Sequence, residues 1–168
     1  RRAPRPAPDA AAIRREVRAA VREARRSSYH DEYGGAGYAV AAVERFLPPA
    51  EALIEAGQGR DALAVLEAVT EEFLKGWEEI QDYDEEGECG ILFDNLGALW
   101  AEAMLTADLA PSERKAWSKR LREWQAEVDN YLDESGFTAA ALAAEHGWDD
   151  PPLLRVLQGE ITPQGAWE

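Results

Sequence analysis

Trp117, Leu121, Trp124, Val128 and Leu132 stand at offsets of 0, +4, +7, +11 and +15, a spacing that brings all five to one face only in a helix. At about 3.6 residues per turn they form a single apolar stripe, and burying it requires a partner surface rather than a second strand. The same period recurs upstream. Ala62, Leu66, Val69, Phe73, Trp77 and Ile80 line one face of a helix over 60–80, and Leu92, Leu96, Leu99, Trp100 and Ala103 line one over 88–106. Ala, Leu and Glu dominate the composition and β-branched residues are sparse, which favours helix over sheet. With 168 residues, six of them Trp and four Phe, the chain is long enough to bury a core of its own. Leu66, Phe73, Leu96, Trp100, Trp117, Leu121 and Trp124 are the expected core.

Turn chemistry divides the rest. Residues 1–8, Arg- and Pro-rich, read as a semi-rigid linker. Asp9 is placed to cap a first helix over about 9–27. A second spans about 38–56, with Pro48 and Pro49 expected to kink or break it and Gly57 and Gly59 to close it. Pro111 opens the helix over 111–133, where a missing N–H costs nothing. Thr138 is expected to cap a short helix that Gly147 stops, and Asp150-Pro151 to start a last one ending at Gly159. Residues 161–168 are expected as a flexible tail, leaving one domain over 9–160. The fold class is therefore all-α. Antiparallel hairpins, 38–56 with 60–80 and 88–106 with 111–133, are expected to stack as a short tetratricopeptide-like solenoid or bundle, although no strict period repeats between them.

Charge is split along the chain. Residues 1–26 hold nine of the eighteen basic residues, all Arg, against Asp9, Glu16 and Glu23, so this head carries +6 and the remainder −21 within a net −15. On the first helix Ile13, Val17, Ala20, Val21 and Ala24 share one arc, and Arg14, Arg15, Arg18, Arg22, Arg25 and Arg26 take the other side. These six arginines are the candidate partner-binding residues. Three readings stand for them: a solvated face, docking onto the chain's own acids such as Glu71, Glu72, Glu78 and Glu79, or contact with phosphates or an acidic partner. The acidic body argues against broad nucleic-acid affinity.

Other chemistries find little support. Asp82, Asp84, Glu86 and Gly87 fit the first half of a calcium loop, but its twelfth position is Phe93, which cannot ligate. An acidic turn that caps the helix beginning at 88 is the simpler reading. Cys89, His30 and His146 lack zinc-site spacing, and Cys89 has no base beside it in sequence, so it reads as a small packing residue. A single cysteine also makes a reducing cytoplasm the expected setting. No run of about twenty apolar residues is present, so no membrane partner is expected. No paired carboxylates or nucleophile elbow mark an enzyme, and none is expected.

Three stretches carry a resemblance: GYAVAAVERFLPPAEALIEAGQGRDALAVLEAVTEEF, DYDEEGECGILFDNLGALWAEAMLTADLAPSERKAW, and HGWDDPPLLRVLQGE. Their most specific parts are the D-x-D-x-x-G turn at 82–87, LGALWAEA at 96–103 and GWDDPPLLRVLQG at 147–159. Over most of residues 10–160 the chain resembles the C-terminal helical region of bacterial SWIM zinc-finger proteins. The resemblance implies a tetratricopeptide-like fold and a zinc-binding module upstream. No C-x-C…C-x-H pattern occurs here, so no zinc ligand transfers to this chain and no cofactor is expected in it. The opening at Arg1, in a linker-like stretch, agrees with a C-terminal piece of a longer protein. The expected function is a non-catalytic interaction or scaffold domain that meets a protein partner or another domain of the same protein. The alternative is an accessory nucleic-acid-binding segment, acting through the Arg-rich first helix or the upstream zinc module.

Overall fold

Asp9 begins the folded chain. Its Oδ1 accepts hydrogen bonds from the backbone N–H of Ala11 and Ala12, at 3.0 and 3.3 Å, which satisfies the first free donors of helix α1, Ala10–Ser28. In this computed structural model the described residues are 4–6, 8–28, 36–84, 87–128 and 136–147. All regular structure among them is helical, with no strand. After α1 come α2 (Ala36–Glu44), α3 (Leu47–Glu55), α4 (Gly59–Lys75), α5 (Trp77–Ile80), α6 (Glu88–Thr106), α7 (Pro111–Val128) and α8 (Gly136–His146). The expected final helix over 150–159, the tail 161–168, His30 and Leu132 lie outside the described residues.

The prolines act as starters rather than kinks. Pro48 and Pro49 fall in the first turn of α3, where no intrahelical donor is needed, and the chain breaks before them at Arg45–Phe46. The helix expected over 60–80 is interrupted at Gly76. A Cβ there would stand 2.6 Å from Cγ1 of Val21, so the absent side chain lets α1 lie directly on the α4–α5 junction. Val21, Gly76 and Ile80 thereby meet in one layer. Thr138 does not cap α8, which starts two residues earlier at Gly136. The acidic turn does cap α6: Asp84 accepts from the N–H of Glu88 at 2.9 Å and of Cys89 at 3.1 Å.

Helices α4 and α6 form the centre. α4 packs against α1, α3 and α6, and α6 against α2, α3, α4 and α8. The expected pairing of α3 with α4 is present. The expected pairing of the 88–106 and 111–133 helices takes another form. The Ala-rich α8 packs on both α6 and α7, and those two meet through large rings: Trp100 lies 5.2 Å from Trp117 and 5.4 Å from Trp124, centroid to centroid. Ala139, Ala140, Ala141, Ala143 and Ala144 are buried, and their small side chains permit this close seat between two neighbours.

An aromatic chain fills the interior. Phe93 sits edge-on to Phe73 and Trp77, at 5.7 and 4.9 Å, and reaches Phe137 at 5.9 Å. Six of the seven expected core residues are buried. Trp117 is only partly so: its ring rests on Trp100, and the Arg120 guanidinium lies over it 5.3 Å from the ring centroid. The N-terminal stretch also has a fixed point: Arg5 N–H donates to Gln58 Oε1 at 2.8 Å, and Gln58 Nε2 donates back to the Arg5 carbonyl at 3.0 Å. No helix among the described residues is long and apolar enough to cross a membrane.

Candidate functional site

Successive positions along α1 rotate by about 100°, so its arginines cannot all point the same way. Ile13, Val17, Val21 and Ala24 are buried against the core. Arg14 and Arg18 come next around the helix, on the flank that borders α4. There Glu67, Glu71 and Glu72 form an acidic ridge, with Glu71 about one turn past Glu67 and Glu72 next to it. Arg14 reaches Glu67 and Glu71 at 3.4 Å each and Glu72 at 3.8 Å. Arg18 grips Glu72 with two nitrogens, Nε at 3.2 Å and Nη2 at 2.9 Å. This forked geometry is the stronger form of ion pair. From the other side Arg120 of α7 reaches Glu67 at 3.0 Å and also pairs with Glu71. Its guanidinium lies 4.7 Å over the Trp124 ring. One ridge on α4 thus ties α1 to α7.

Glu72 is the deepest of these acids, 3% exposed, and the only buried ionisable carboxylate among the described residues. Hydrogen bonding from Arg18 holds it below the usual carboxylate range, against the upward push of burial, with Lys75 assisting from 3.3 Å. Of the acids proposed from sequence as internal partners, Glu71 and Glu72 serve. Glu78 makes no ion pair among the described residues.

The remaining arginines divide differently. Arg15, Arg22 and Arg26 are exposed and make no ion pair among the described residues, forming an outward stripe at i, i+7 and i+11. The Arg25 side chain lies outside the described residues. On the opposite flank α1 and α2 enclose a groove of about 790 Å³. Ala19, Ala20 and Ala41 form its floor, Tyr38 stands 52% exposed at its wall, and the Glu16–Arg45 ion pair closes one edge. Ala20, expected on the buried arc, lines this groove and is only partly covered.

Cys89 is fully buried, and burial together with Asp84 and Glu88 pushes its thiol far up, so the reactive thiolate is disfavoured. Among the described residues no group of three or more His, Cys, Asp or Glu is placed to hold a metal ion. Periodicity alone did not reveal a second cationic surface, on α7, where Arg114, Lys115, Lys119 and Arg122 gather beside α8. Its signal was present in the spacing: i, i+1, i+5 and i+8 fall within one arc of the wheel, but the apolar stripe of the same helix drew the reading to the other face. No protein-family model, no curated protein and no solved structure matches this chain.

Proposed function

We propose that this chain is a non-catalytic helical interaction or scaffold domain, with stacked hairpins in the tetratricopeptide manner, similar to the C-terminal region of a SWIM zinc-finger protein whose zinc module lies upstream. The observation that supports this best is the engagement of Arg14 and Arg18 by Glu67, Glu71 and Glu72. A helix built to grip phosphate keeps its guanidiniums free, whereas these two serve to hold α1 on α4. What remains outward is a small-residue groove with an exposed Tyr38, the kind of surface that receives a protein segment. A protein partner or another domain of the same protein is the proposed occupant. A reducing setting such as the cytoplasm suits its single buried thiol.

A gel shift with DNA and RNA at low and moderate salt tests the reading. The expected outcome is no salt-steep nucleic-acid binding by this chain, together with a lowered melting temperature when Arg14 and Arg18 are both reversed to Glu. Tight binding that survives moderate salt would refute it. A second reading has its own support in the exposed stripe of Arg15, Arg22 and Arg26. If that stripe is an accessory nucleic-acid contact, reversing the three abolishes the shift without unfolding the domain, and the affinity falls steeply with salt.

A further inference from the structure

Helix α7 carries a cationic face beside α8. Arg114, Ser118 and Arg122 form one row at i, i+4 and i+8, and Lys115 and Lys119 form the next. They border a groove of about 620 Å³ between α7 and α8, with Pro111 and the buried Ala144 as its apolar lining. Lys115 and Lys119 are exposed, and neither they nor Arg114 make an ion pair among the described residues. Arg114 lies along the end of α8, its Nη1 3.3 Å from where a Cβ of residue 147 would stand.

The one acid in the groove is already engaged. Glu145 accepts from Ser118 Oγ at 2.5 Å and from Arg122 Nε at 2.8 Å, and Arg122 Nη2 lies 2.6 Å away. That pairing neutralises Glu145 and leaves Arg114, Lys115 and Lys119 as three cations around an apolar floor. In a chain of net charge −15 this is a local inversion of sign.

We propose that the α7–α8 groove binds a short acidic peptide segment of a partner protein, its carboxylates paired by Arg114, Lys115 and Lys119 and an apolar side chain seated between Pro111 and Ala144. The proposal rests on the reading of the chain as an interaction domain, and it names the surface and the partner's chemistry. Charge complementarity selects the sign of the ligand. Extent selects its class. A duplex carries one charge per about 1.7 Å of its axis and extends well past a groove of this size, over a surface whose net charge repels it. A short peptide ends inside the groove. Its apolar side chains also gain from the floor, which a phosphate backbone does not use.

Fluorescence anisotropy of two labelled probes decides it: a short peptide alternating Glu and Leu, and a single-stranded oligonucleotide of equal charge. Each is titrated with the wild-type chain, with K115E/K119E, and with R15E/R22E/R26E. Circular dichroism melts confirm folding, and K115A/K119A stands in if the reversal unfolds the chain. The expected result is peptide binding that weakens with salt, drops roughly tenfold or more in K115E/K119E, and is unchanged in R15E/R22E/R26E. No peptide binding, or binding indifferent to the groove variant, overturns the proposal. If neither probe binds, only the groove assignment fails and the interaction-domain reading stands. Oligonucleotide binding lost in R15E/R22E/R26E refutes the interaction-domain reading itself. Oligonucleotide binding lost in K115E/K119E assigns the groove to phosphate and overturns the peptide.

Discussion

Arg18 and Glu72 form a two-nitrogen pair at 3.2 and 2.9 Å in which the carboxylate is buried and the guanidinium half exposed. The asymmetry predicts unequal effects. Removing Arg18 leaves a buried acid with only Arg14 and Lys75 nearby, whereas removing the carboxylate leaves an arginine that water can solvate. Arg18→Ala is therefore expected to lower the melting temperature more than Arg22→Ala, and Arg18→Lys to restore only part of it, since Lys offers no fork. The double variant R18A/E72Q is expected to be more stable than R18A alone. Thermal melts of the four proteins check this, and equal effects at 18 and 22 would exclude a role for the pair.

Stability is expected to fall in acid through identifiable carboxylates. Glu72 is held low by Arg18, and Glu113 is held at about 2 by Arg60, which pairs with it at 2.8 and 2.9 Å across the N-termini of α4 and α7. Both folded values lie below the ordinary 4.5. Such groups stabilise the fold above the unfolded value, and that contribution is lost as pH falls through the folded one. For Glu113 the window runs from about 4.5 to about 2. Glu72→Gln and Glu113→Gln should each flatten the acid limb of melting temperature against pH.

Glu102 has the opposite sign. Burial first, then Glu51 and Glu55, raise its value, so its charged form opposes folding at neutral pH. Glu102→Gln is expected to raise the melting temperature at neutral pH, with the gain vanishing in acid as the wild-type carboxyl protonates. A loss of stability at neutral pH would contradict this.

Trp100 donates its indole N–H to Thr70 Oγ1 at 3.0 Å, both fully buried between α6 and α4. Thr70→Val keeps the shape and removes the acceptor, at an expected cost of about 1–3 kcal/mol. Thr70→Ser keeps the acceptor and is expected to cost less. Trp124→Ala empties a site next to Trp100 and Phe137 and should cost about 3–5 kcal/mol. Denaturant melts measure both, and a neutral Trp124→Ala would disprove the packing described.

Gly76 and Val21 meet where α1 crosses the α4–α5 junction. Gly76→Ala drives a methyl into Val21 and is expected to cost about 1–3 kcal/mol. Val21→Ala destabilises on its own by removing buried carbon. In the Gly76→Ala background the same change should recover stability, and that reversal of sign in a double-mutant cycle is the measurement.

The helices and their buried faces were written in the sequence. Asp9, Pro111 and the apolar stripes mark α1, α4, α6 and α7, because capping and a 3.6-residue period are properties of one segment and need no neighbour. The period even carried across the break at Gly76, where Trp77 and Ile80 stay buried on the face begun by Ala62. Tertiary structure alone decided which arginines are engaged. The wheel places all six opposite the apolar arc, but only the seat of α1 on α4, set by the close approach at Gly76, brings Arg14 and Arg18 to the Glu67–Glu72 ridge and leaves Arg15, Arg22 and Arg26 outside. The same holds for α8. Its alanines let it settle between α6 and α7, which keeps those two from a simple hairpin, leaves Trp117 partly buried and creates the cationic groove. Periodicity fixes directions about a helix axis, whereas contacts between helices depend on interaxial distance, which side-chain size at the crossing sets.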